Sequence, residues 1–199
     1  MASKLKEEEL LQGLLRKEER AYRELVEDWS EKIYRIAMRF LRRPEEAREI
    51  VQEVFEKVVE KIHTFEGDSK LSTWLYRVTV NQALMRLRSE KRHPEVSWEE
   101  ILPQYEDGVW NGSGPDWSRL PDEKLQEKES REFLQASLRE LPEDYRAAYL
   151  LKDVEQLSEE EVCQALNLAK PVMKMRVHRA RLFLKKKLED RFLKGSHVD

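Results

Sequence analysis

Positively charged side chains are concentrated near the end of this 199-residue sequence. From Lys170 onward there are ten basic residues and three acidic ones, although the whole chain has a formal net charge of −3. The side chains able to carry positive charge in the first three turns of the helix predicted there are Lys170, Lys174, Arg176, His178, Arg179 and Arg181. Such a cluster can neutralise several phosphates, and affinity for nucleic acid then falls steeply with salt. A solvated charged helix balanced by the acidic stretch before it is the alternative interpretation.

The helix that carries this charge is predicted to be the second helix of a helix-turn-helix. Ser158 to Glu161 form a capping-box pattern, which is followed by an apolar helix as far as Leu166. Asn167 suits a tight turn because asparagine tolerates the left-handed conformation. A last long helix then begins at about Pro171. The second helix of such a motif is the one that enters the major groove of duplex DNA.

A second basic cluster occupies the third helix predicted in the N-terminal half. Its members are Lys70, Arg77, Arg86, Arg88, Lys91 and Arg92. A short polar loop, opened by Phe65 and hinged at Gly67, comes just before it. Single-stranded nucleic acid needs aromatic partners for its unstacked bases and positive charge for its phosphates. The loop and the helix together therefore predict a single-strand contact. A place in the core is the alternative for both Phe65 and Trp74, and the helical register of Trp74 with Leu71 and Val78 favours the core for Trp74.

Apolar residues at three- and four-residue steps predict the helices that position these clusters. One apolar face runs from Tyr22 to Phe40, and a second helix opens at Pro44 and has its apolar stripe from Ile50 to Ile62. The third helix is expected to begin near the potential N-caps Ser72 or Thr73 and to run through Arg92. No strand-like alternation of useful length occurs, so the fold class is predicted to be all-α.

The predicted helices fall into two groups. Seven of the chain's glycines and prolines lie between His93 and Pro121, in an acidic stretch without helical periodicity. We therefore expect a helical domain at 1–92, a flexible linker at 93–121 and a helix-turn-helix domain at 122–199. The linker holds three of the five tryptophans, at Trp98, Trp110 and Trp117. Packing onto a neighbouring domain is favoured for them over binding of a ligand.

Several kinds of chemistry are missing from the sequence. The one cysteine excludes an internal disulfide, and no Cys/His cluster has metal-ligand spacing. No metalloprotease motif, phosphate-binding glycine loop or nucleophile elbow occurs, so we expect no catalytic residue, metal or cofactor. Cys163 is interpreted as a buried structural thiol. The longest apolar run, at 147–151, is far too short to span a membrane, and the first residues have no signal-peptide core, which predicts a cytoplasmic protein without membrane insertion.

Three groups of motifs occur in order along the chain, at Glu49–Phe55, at Phe65–Leu75 with Arg77–Asn81, and at Leu141–Arg146, Leu157–Val162 and Val177–Arg181. Together they resemble the extracytoplasmic-function (ECF) group of bacterial RNA polymerase sigma factors. The first is Glu49–Phe55, which is similar to that family's region two signature for binding core polymerase. The second is Phe65–Leu75 with Arg77–Asn81, which resembles its promoter-melting loop and the helix after it. The third looks like region four and consists of Leu141–Arg146, Leu157–Val162 and Val177–Arg181.

The resemblance implies that the chain binds core RNA polymerase, brings it to promoters and helps to melt them. It implies polymerase contacts for Glu49, Gln52 and Glu53. Contacts to the melted strand and the downstream element are implied for Phe65, Asp68, Ser69, Lys70, Ser72, Thr73, Arg77, Asn81, Arg86 and Arg88. Contacts of the recognition helix to the upstream duplex are implied for Lys170, Val172, Lys174, Arg176, His178, Arg179 and Arg181. An anti-sigma protein is a further implied partner.

Other functions remain possible from the sequence alone. A stand-alone helix-turn-helix regulator would dimerise on palindromic half-sites and bind without polymerase. A hydrolase or metal enzyme is disfavoured by the missing motifs, and a helical scaffold would show no salt-dependent DNA binding. The chain also departs from the family pattern at Ala169, where a serine often caps the recognition helix, and at Pro171. These departures leave the base preference of that helix open.

Overall fold

The computed structural model describes residues 6–41, 43–89 and 128–195, and this part of the chain contains helices and turns but no strand. The prediction of an all-α fold is confirmed. The expected linker at 93–121, its three tryptophans, and Lys91 and Arg92 lie outside the described residues.

Eight α-helices make up most of the described chain. The first four are α1 (Glu7–Leu15), α2 (Glu19–Phe40), α3 (Pro44–Lys61) and α4 (Leu71–Ser89). The next four are α5 (Lys128–Glu140), α6 (Glu143–Tyr149), α7 (Glu159–Leu166) and α8 (Lys170–Gly195). A 3₁₀ turn at Ile62–Thr64 follows α3, and a π-helical turn at Leu150–Val154 follows α6. The helix α1 was not predicted from the sequence.

The helices belong to two compact units. The first unit contains α1 to α4 together with residues 156–170, which include α7. The second unit contains α5, α6, the π-helical turn and α8 from residue 171 onward. The helix α7 contacts α4 within the first unit, although the sequence-based division assigned it to the C-terminal domain. The domain boundaries inferred from the sequence stay a prediction.

The core of the first unit is built from the apolar stripes that define its helices. The side chains of Leu25 and Ile33 from α2, Ile50 from α3 and Leu75 from α4 have no exposed surface. Burying such a side chain stabilises the fold by roughly 1.5–3 kcal/mol relative to leaving it in water. Pro44 stands in the first turn of α3, as predicted, where its missing N–H costs nothing. These contacts hold α3 and α4 against each other, so the exposed faces of both helices lie on the surface of the same unit.

The start of α4 is set by a distant side chain. The helix begins at Leu71, before the predicted caps Ser72 and Thr73, and a carboxylate oxygen of Glu7 accepts a hydrogen bond from the Leu71 N–H at 2.6 Å. The first N–H groups of a helix lack partners within it and form its positive end, so a carboxylate satisfies them and is attracted to them. The expectation of a local serine or threonine cap was therefore wrong, because α1 supplies the acceptor.

The second unit is held by apolar side chains and by one buried arginine. Leu138, Ala148 and Leu151 are buried in it, as are Val177 and Phe183 of α8. The guanidinium of Arg146 is also buried and donates to the carbonyls of Arg139 and Leu141, at 2.7 Å and 2.9 Å. These carbonyls lie at the end of α5, where helix carbonyls lack partners within the helix. Arg146 therefore fixes the corner between α5 and α6.

The two local signals for the helix-turn-helix are confirmed. Ser158 Oγ accepts from the N–H of Glu161 at 3.2 Å, and the Glu161 carboxylate accepts from the N–H of Ser158 at 2.9 Å, which completes the capping box. Asn167 ends α7 in the left-handed conformation, with φ 51° and ψ 54°. Both features depend only on neighbouring residues, so the sequence pattern was sufficient to predict them.

Candidate polymerase and nucleic-acid interface

The outer face of α3 carries the three residues predicted to bind polymerase. Glu49 and Gln52 are exposed, and Glu53 is half-buried. Gln52 donates through Nε2 to Glu56, one turn later, at 2.9 Å. The amide of Gln52 and the carboxylate of Glu49 are thus presented to solvent on one face of a helix whose other side is packed into the core.

Arg86 of α4 binds two of these acidic residues. Its Nη1 lies 2.7 Å from Glu49 Oε2, and its Nη2 donates to Glu53 Oε1. Gln82 donates to the other oxygen of Glu53 at 3.2 Å. The hydrogen bond to Glu49 is the main cause that raises the pKa of Arg86, with the charge of Glu53 adding to it. A residue predicted to hold the DNA strand therefore faces α3 and joins two residues predicted to bind polymerase.

The loop before α4 begins with an aromatic pair. The ring of Phe65 meets the ring of Trp74 edge-on, with 6.1 Å between their centroids. Trp74 is 4% exposed, which confirms its assignment to the core, whereas Phe65 is half-buried. Gly67 has a φ of 80°, a conformation that residues with a side chain rarely adopt, so this position favours glycine. Of the predicted strand-binding residues nearby, Asp68 is exposed, Ser69 and Ser72 are half-buried and Thr73 is buried.

The same loop makes two polar contacts with α7. Lys70 Nζ lies 2.8 Å from Glu161 Oε1, and Gln164 donates to the carbonyl of Asp68 at 3.3 Å. The hydrogen bond from Lys70, followed by the one from the Ser158 N–H, lowers the pKa of Glu161 to about 2. The Glu161 carboxylate is therefore ionised at every physiological pH. Lys70, a predicted phosphate-binding residue, has an anionic protein partner in this structure.

The outer side of α4 carries a row of exposed residues. Arg77, Asn81 and Arg88, all predicted to contact the DNA strand, are exposed, and so is Met85 between the last two. Sequence reasoning missed Met85, because an apolar residue in a helix is normally assigned to the core. Its four-residue spacing from Asn81 was the signal that could have placed it on the outer side.

The basic residues of α8 are largely paired within the second unit. Arg176 Nη2 lies 2.8 Å from Asp144, and Arg181 donates to both carboxylate oxygens of Asp153, with its Nε at 2.8 Å. Arg179 donates to the hydroxyl of Tyr145 at 3.2 Å. The acidic residues of α6 and the π-helical turn thus neutralise part of the cluster and fix its geometry. The charged helix and its preceding acidic stretch are in contact, as the alternative interpretation proposed.

The remaining positions predicted on the recognition helix differ in exposure. Lys170 and Val172 are exposed, and Lys174 is half-buried. Lys170 is paired with Glu159 at 2.8 Å and Glu160 at 3.1 Å. Burial, followed by the charges of Arg181 and Arg179, lowers the pKa of His178, which favours the neutral form of its imidazole.

Cys163 is half-buried, so its assignment as a buried thiol was too strong. Burial raises its pKa, as expected for a thiol that stays protonated. Among residues 6–41, 43–89 and 128–195, we find no group of three or more histidine, cysteine or acidic side chains able to hold a metal ion. Within those same ranges, every helix is too short or too polar to cross a bilayer.

Comparison with known proteins identifies two family regions in the chain. Residues 25–93 match the family described as Sigma-70 region 2, and residues 131–184 match the one described as Sigma-70, region 4. The ECF RNA polymerase sigma factor SigW of Bacillus subtilis is 33% identical over 174 residues, which cover 85% of this chain and 90% of that protein. The ECF RNA polymerase sigma-E factor of Escherichia coli K12 is 27% identical over 189 residues, which cover 95% and 97%.

Two solved structures share the fold. CnrH in complex with the cytosolic domain of CnrY has a TM-score of 0.64 at 18% identity and covers 91% of this chain and 96% of its own. The sigma factor RpoE from Bartonella quintana, in complex with the anti-sigma factor NepR, has a TM-score of 0.59 at 19% identity, with coverage of 84% and 96%.

These matches define the protein as a sigma factor with regions two and four. The chain belongs to the ECF RNA polymerase sigma factors. Its function is promoter-specific initiation of transcription with RNA polymerase, and a stand-alone helix-turn-helix regulator is not favoured because region two is present. Sigma factors are not enzymes in the usual sense.

Proposed function

We propose that three surfaces of this sigma factor divide its work among core polymerase, the melted strand and the upstream duplex. The polymerase surface is the outer face of α3, with Glu49, Gln52 and Glu53. The strand surface is the loop at 65–70 with the exposed side of α4. The duplex surface is the basic side of α8. One observation carries the proposal: the unit that matches region two presents acidic and amide groups on α3 and Arg77 and Asn81 on α4, all on packed helices.

The polymerase surface acts through groups that are already oriented. Arg86 ties Glu49 and Glu53 to α4, so binding costs little side-chain entropy at these two positions. Gln52 supplies an amide that both donates and accepts hydrogen bonds. A basic polymerase surface fits this face, because the carboxylates keep free lone pairs beyond those used by Arg86. In this arrangement Arg86 supports the polymerase surface, while its proposed contact with DNA requires exchange of these partners.

The strand surface acts on an extruded base. Taking a base out of a duplex costs a few kcal/mol, which contacts to its face and phosphates must offset. Phe65 lies at the surface end of the Phe65–Trp74 pair, and Gly67 allows the loop to bend beside it. Phosphate binding by Lys70 requires that its pair with Glu161 be exchanged for a phosphate. Melting is thus coupled to release of α7 from the loop.

The duplex surface reads the upstream element from the major groove. Arg176 and Arg179 are held by Asp144 and Tyr145, which limits their rotamers before DNA arrives. A well-placed bidentate contact to a base gives about 1–3 kcal/mol of discrimination. We assign the domains at 1–92 and 122–199 to these two DNA elements, with 93–121 as the tether between them. Tethering raises the effective concentration of the second contact once the first has formed.

The proposed function also indicates where in the cell the protein acts and which kind of protein regulates it. We infer that the protein acts in the cytoplasm, where core RNA polymerase and promoters are found. An anti-sigma protein is the proposed regulator, in line with the solved complex of RpoE with the anti-sigma factor NepR, which shares the fold.

Reconstitution with purified core RNA polymerase tests the proposal. The full chain is mixed with core enzyme and a genomic library, and run-off transcripts are sequenced. We expect transcripts that start downstream of a shared two-part motif and that require the added chain. Co-elution with core enzyme without a transcript would contradict the assignment of the two DNA surfaces. Absence of co-elution would contradict the assignment of the polymerase surface.

A further inference from the structure

Met85 is the most exposed large apolar side chain in the described part of the protein, at 64%. The neighbouring apolar residues of α4, Leu84 and Leu87, are buried at 8% and 9% exposure. Met85 is therefore turned away from the core that the rest of the helix helps to form. Single apolar residues are common on protein surfaces, so the exposure matters only together with what surrounds it.

Met85 is surrounded by residues that are proposed to contact the melted DNA strand. At about 100° per residue, Arg77, Asn81, Met85 and Arg88 fall within an arc of about 80° on the outer side of α4. With a rise of about 1.5 Å per residue, the row from Arg77 to Arg88 is about 16 Å long. Met85 lies inside this row, with an amide one turn before it and a guanidinium three residues after it. The row thus combines charge for phosphates, an amide for base edges and one apolar surface.

We propose that Met85 is a base-contacting residue whose thioether packs on the face of an unstacked base of the melted promoter strand. The proposal rests on the strand surface assigned above and adds a residue to it. An unstacked base exposes an apolar face that needs a new partner, and proteins that open or kink DNA use methionine and other apolar side chains for this purpose. Methionine is flexible and polarizable, so it adapts to different bases without reading their edges.

The charge of the row selects nucleic acid as the occupant. Arg77 and Arg88 carry the charges that phosphates require on either side of the apolar contact, and both are exposed. Glu49 and Glu53, the two acidic partners of Arg86, are drawn by it to the side of α4 that faces α3. An anionic polymer with exposed apolar faces therefore complements this row.

The test compares holoenzymes that differ at one side chain. The full chain, its Met85→Gln variant and the control Val26→Ala are each assembled with core RNA polymerase, and assembly is checked by co-elution. Met85→Gln keeps the length of the side chain and removes its apolar end. Val26 is a second exposed apolar residue, on α2 and outside the three proposed surfaces, at 41% exposure. The probes are a fluorescent single-stranded oligothymidylate and a strand of equal length in which several bases are replaced by abasic sites.

We expect Met85→Gln to weaken binding of oligothymidylate about fivefold, because it removes roughly one to two methylene equivalents of apolar contact. The abasic probe should bind the variant and the wild type alike, which isolates the contact to the base. Val26→Ala should bind both probes as wild type does. Equal affinities of wild type and Met85→Gln for oligothymidylate would overturn the inference, as would an equal loss on both probes.

Two further outcomes separate this inference from the function on which it rests. If the wild-type holoenzyme binds oligothymidylate no better than core enzyme alone, the assignment of the strand surface on α4 is contradicted. The role inferred for Met85 is then contradicted as well. Loss of co-elution in Met85→Gln would show that the row is a protein interface, which overturns the assignment of DNA as its occupant.

Discussion

The ammonium of Lys70 lies 2.8 Å from the carboxylate of Glu161, so the loop before α4 is joined to α7, the first helix of the predicted helix-turn-helix. The two residues are 91 positions apart in the sequence. The same carboxylate completes the capping box of α7 through Ser158. The Glu161 side chain therefore links the N-terminal cap of α7 to Lys70, a residue predicted to contact the melted DNA strand.

The stability supplied by Glu161 should depend on pH. Its pKa is about 2 in the folded protein against an ordinary value of 4.5, so the folded state favours the ionised form. Its contribution is fully present above about pH 4.5 and is lost as the pH falls toward 2. We expect Glu161→Gln to lower the melting temperature by a few degrees at pH 7, with a difference from wild type that shrinks below pH 4.5. A difference that stays constant down to pH 3 would contradict this assignment.

Removing the same carboxylate should also free Lys70 for phosphate. In the isolated full chain we expect Glu161→Gln to bind a single-stranded oligonucleotide about threefold more tightly, the scale of an exposed ion pair. Glu160→Gln is the matched control, because it removes the same charge from the same turn but is paired with Lys170. Equal gains in both variants would mean that net charge, and not the release of Lys70, causes the effect.

Gln52 offers the cleanest test of the polymerase surface. The hydrogen bond that its amide donates to Glu56 stays within α3, so a substitution of Gln52 leaves the contacts between helices intact. We expect Gln52→Arg to weaken binding to core RNA polymerase by more than about tenfold, the scale of an interface hot spot. Circular dichroism should be unchanged, and Val26→Arg, at an exposed position on α2, should bind core enzyme normally. Normal co-elution of Gln52→Arg would exclude this face of α3 as the docking site.

Arg86 and Glu53 should be energetically coupled. Their ion pair lies at the half-buried contact between α3 and α4. A double-mutant cycle of Arg86→Gln and Glu53→Gln, measured by urea unfolding, is expected to give a coupling energy of about 0.5–1 kcal/mol. The cycle of Arg86→Gln with Gln52→Ala serves as the control and should be additive. Additivity in both cycles would show that the pair does not hold the acidic face in place.

Arg176 and Asp144 should have opposite effects on binding of the upstream duplex. Arg176→Gln removes a positive charge from α8 and is expected to lower the slope of log K against log salt by about one. Asp144→Asn removes the carboxylate that lies 2.8 Å from Arg176 and should strengthen binding. The measurement is a salt titration of each variant on a promoter duplex selected by the run-off experiment. Weaker binding in both variants would mean that the pair acts only by holding α6 to α8.

Local features of the fold could be read from short stretches of sequence. Pro44 at the start of α3, the capping box of Ser158 with Glu161, and the left-handed Asn167 all formed as predicted. Each is decided within a few residues by the missing N–H of proline, by a side chain that reaches the adjacent backbone, or by the tolerance of asparagine for positive φ. The nine-residue helix α1 was missed, since so short a helix depends on packing more than on its own propensity.

The sequence by itself therefore determined the helical class, the family motifs and the faces on which Gln52, Arg77 and Asn81 lie, because helical periodicity fixes the side of each residue. Only the tertiary structure decided the partners of the charged side chains. Arg86 meets an acidic residue 37 positions away, Lys70 meets Glu161, and Glu7 caps α4 from α1. Such pairs follow from how helices pack. The order of charges along the chain does not determine which opposite charges the packing brings within 4 Å of each other.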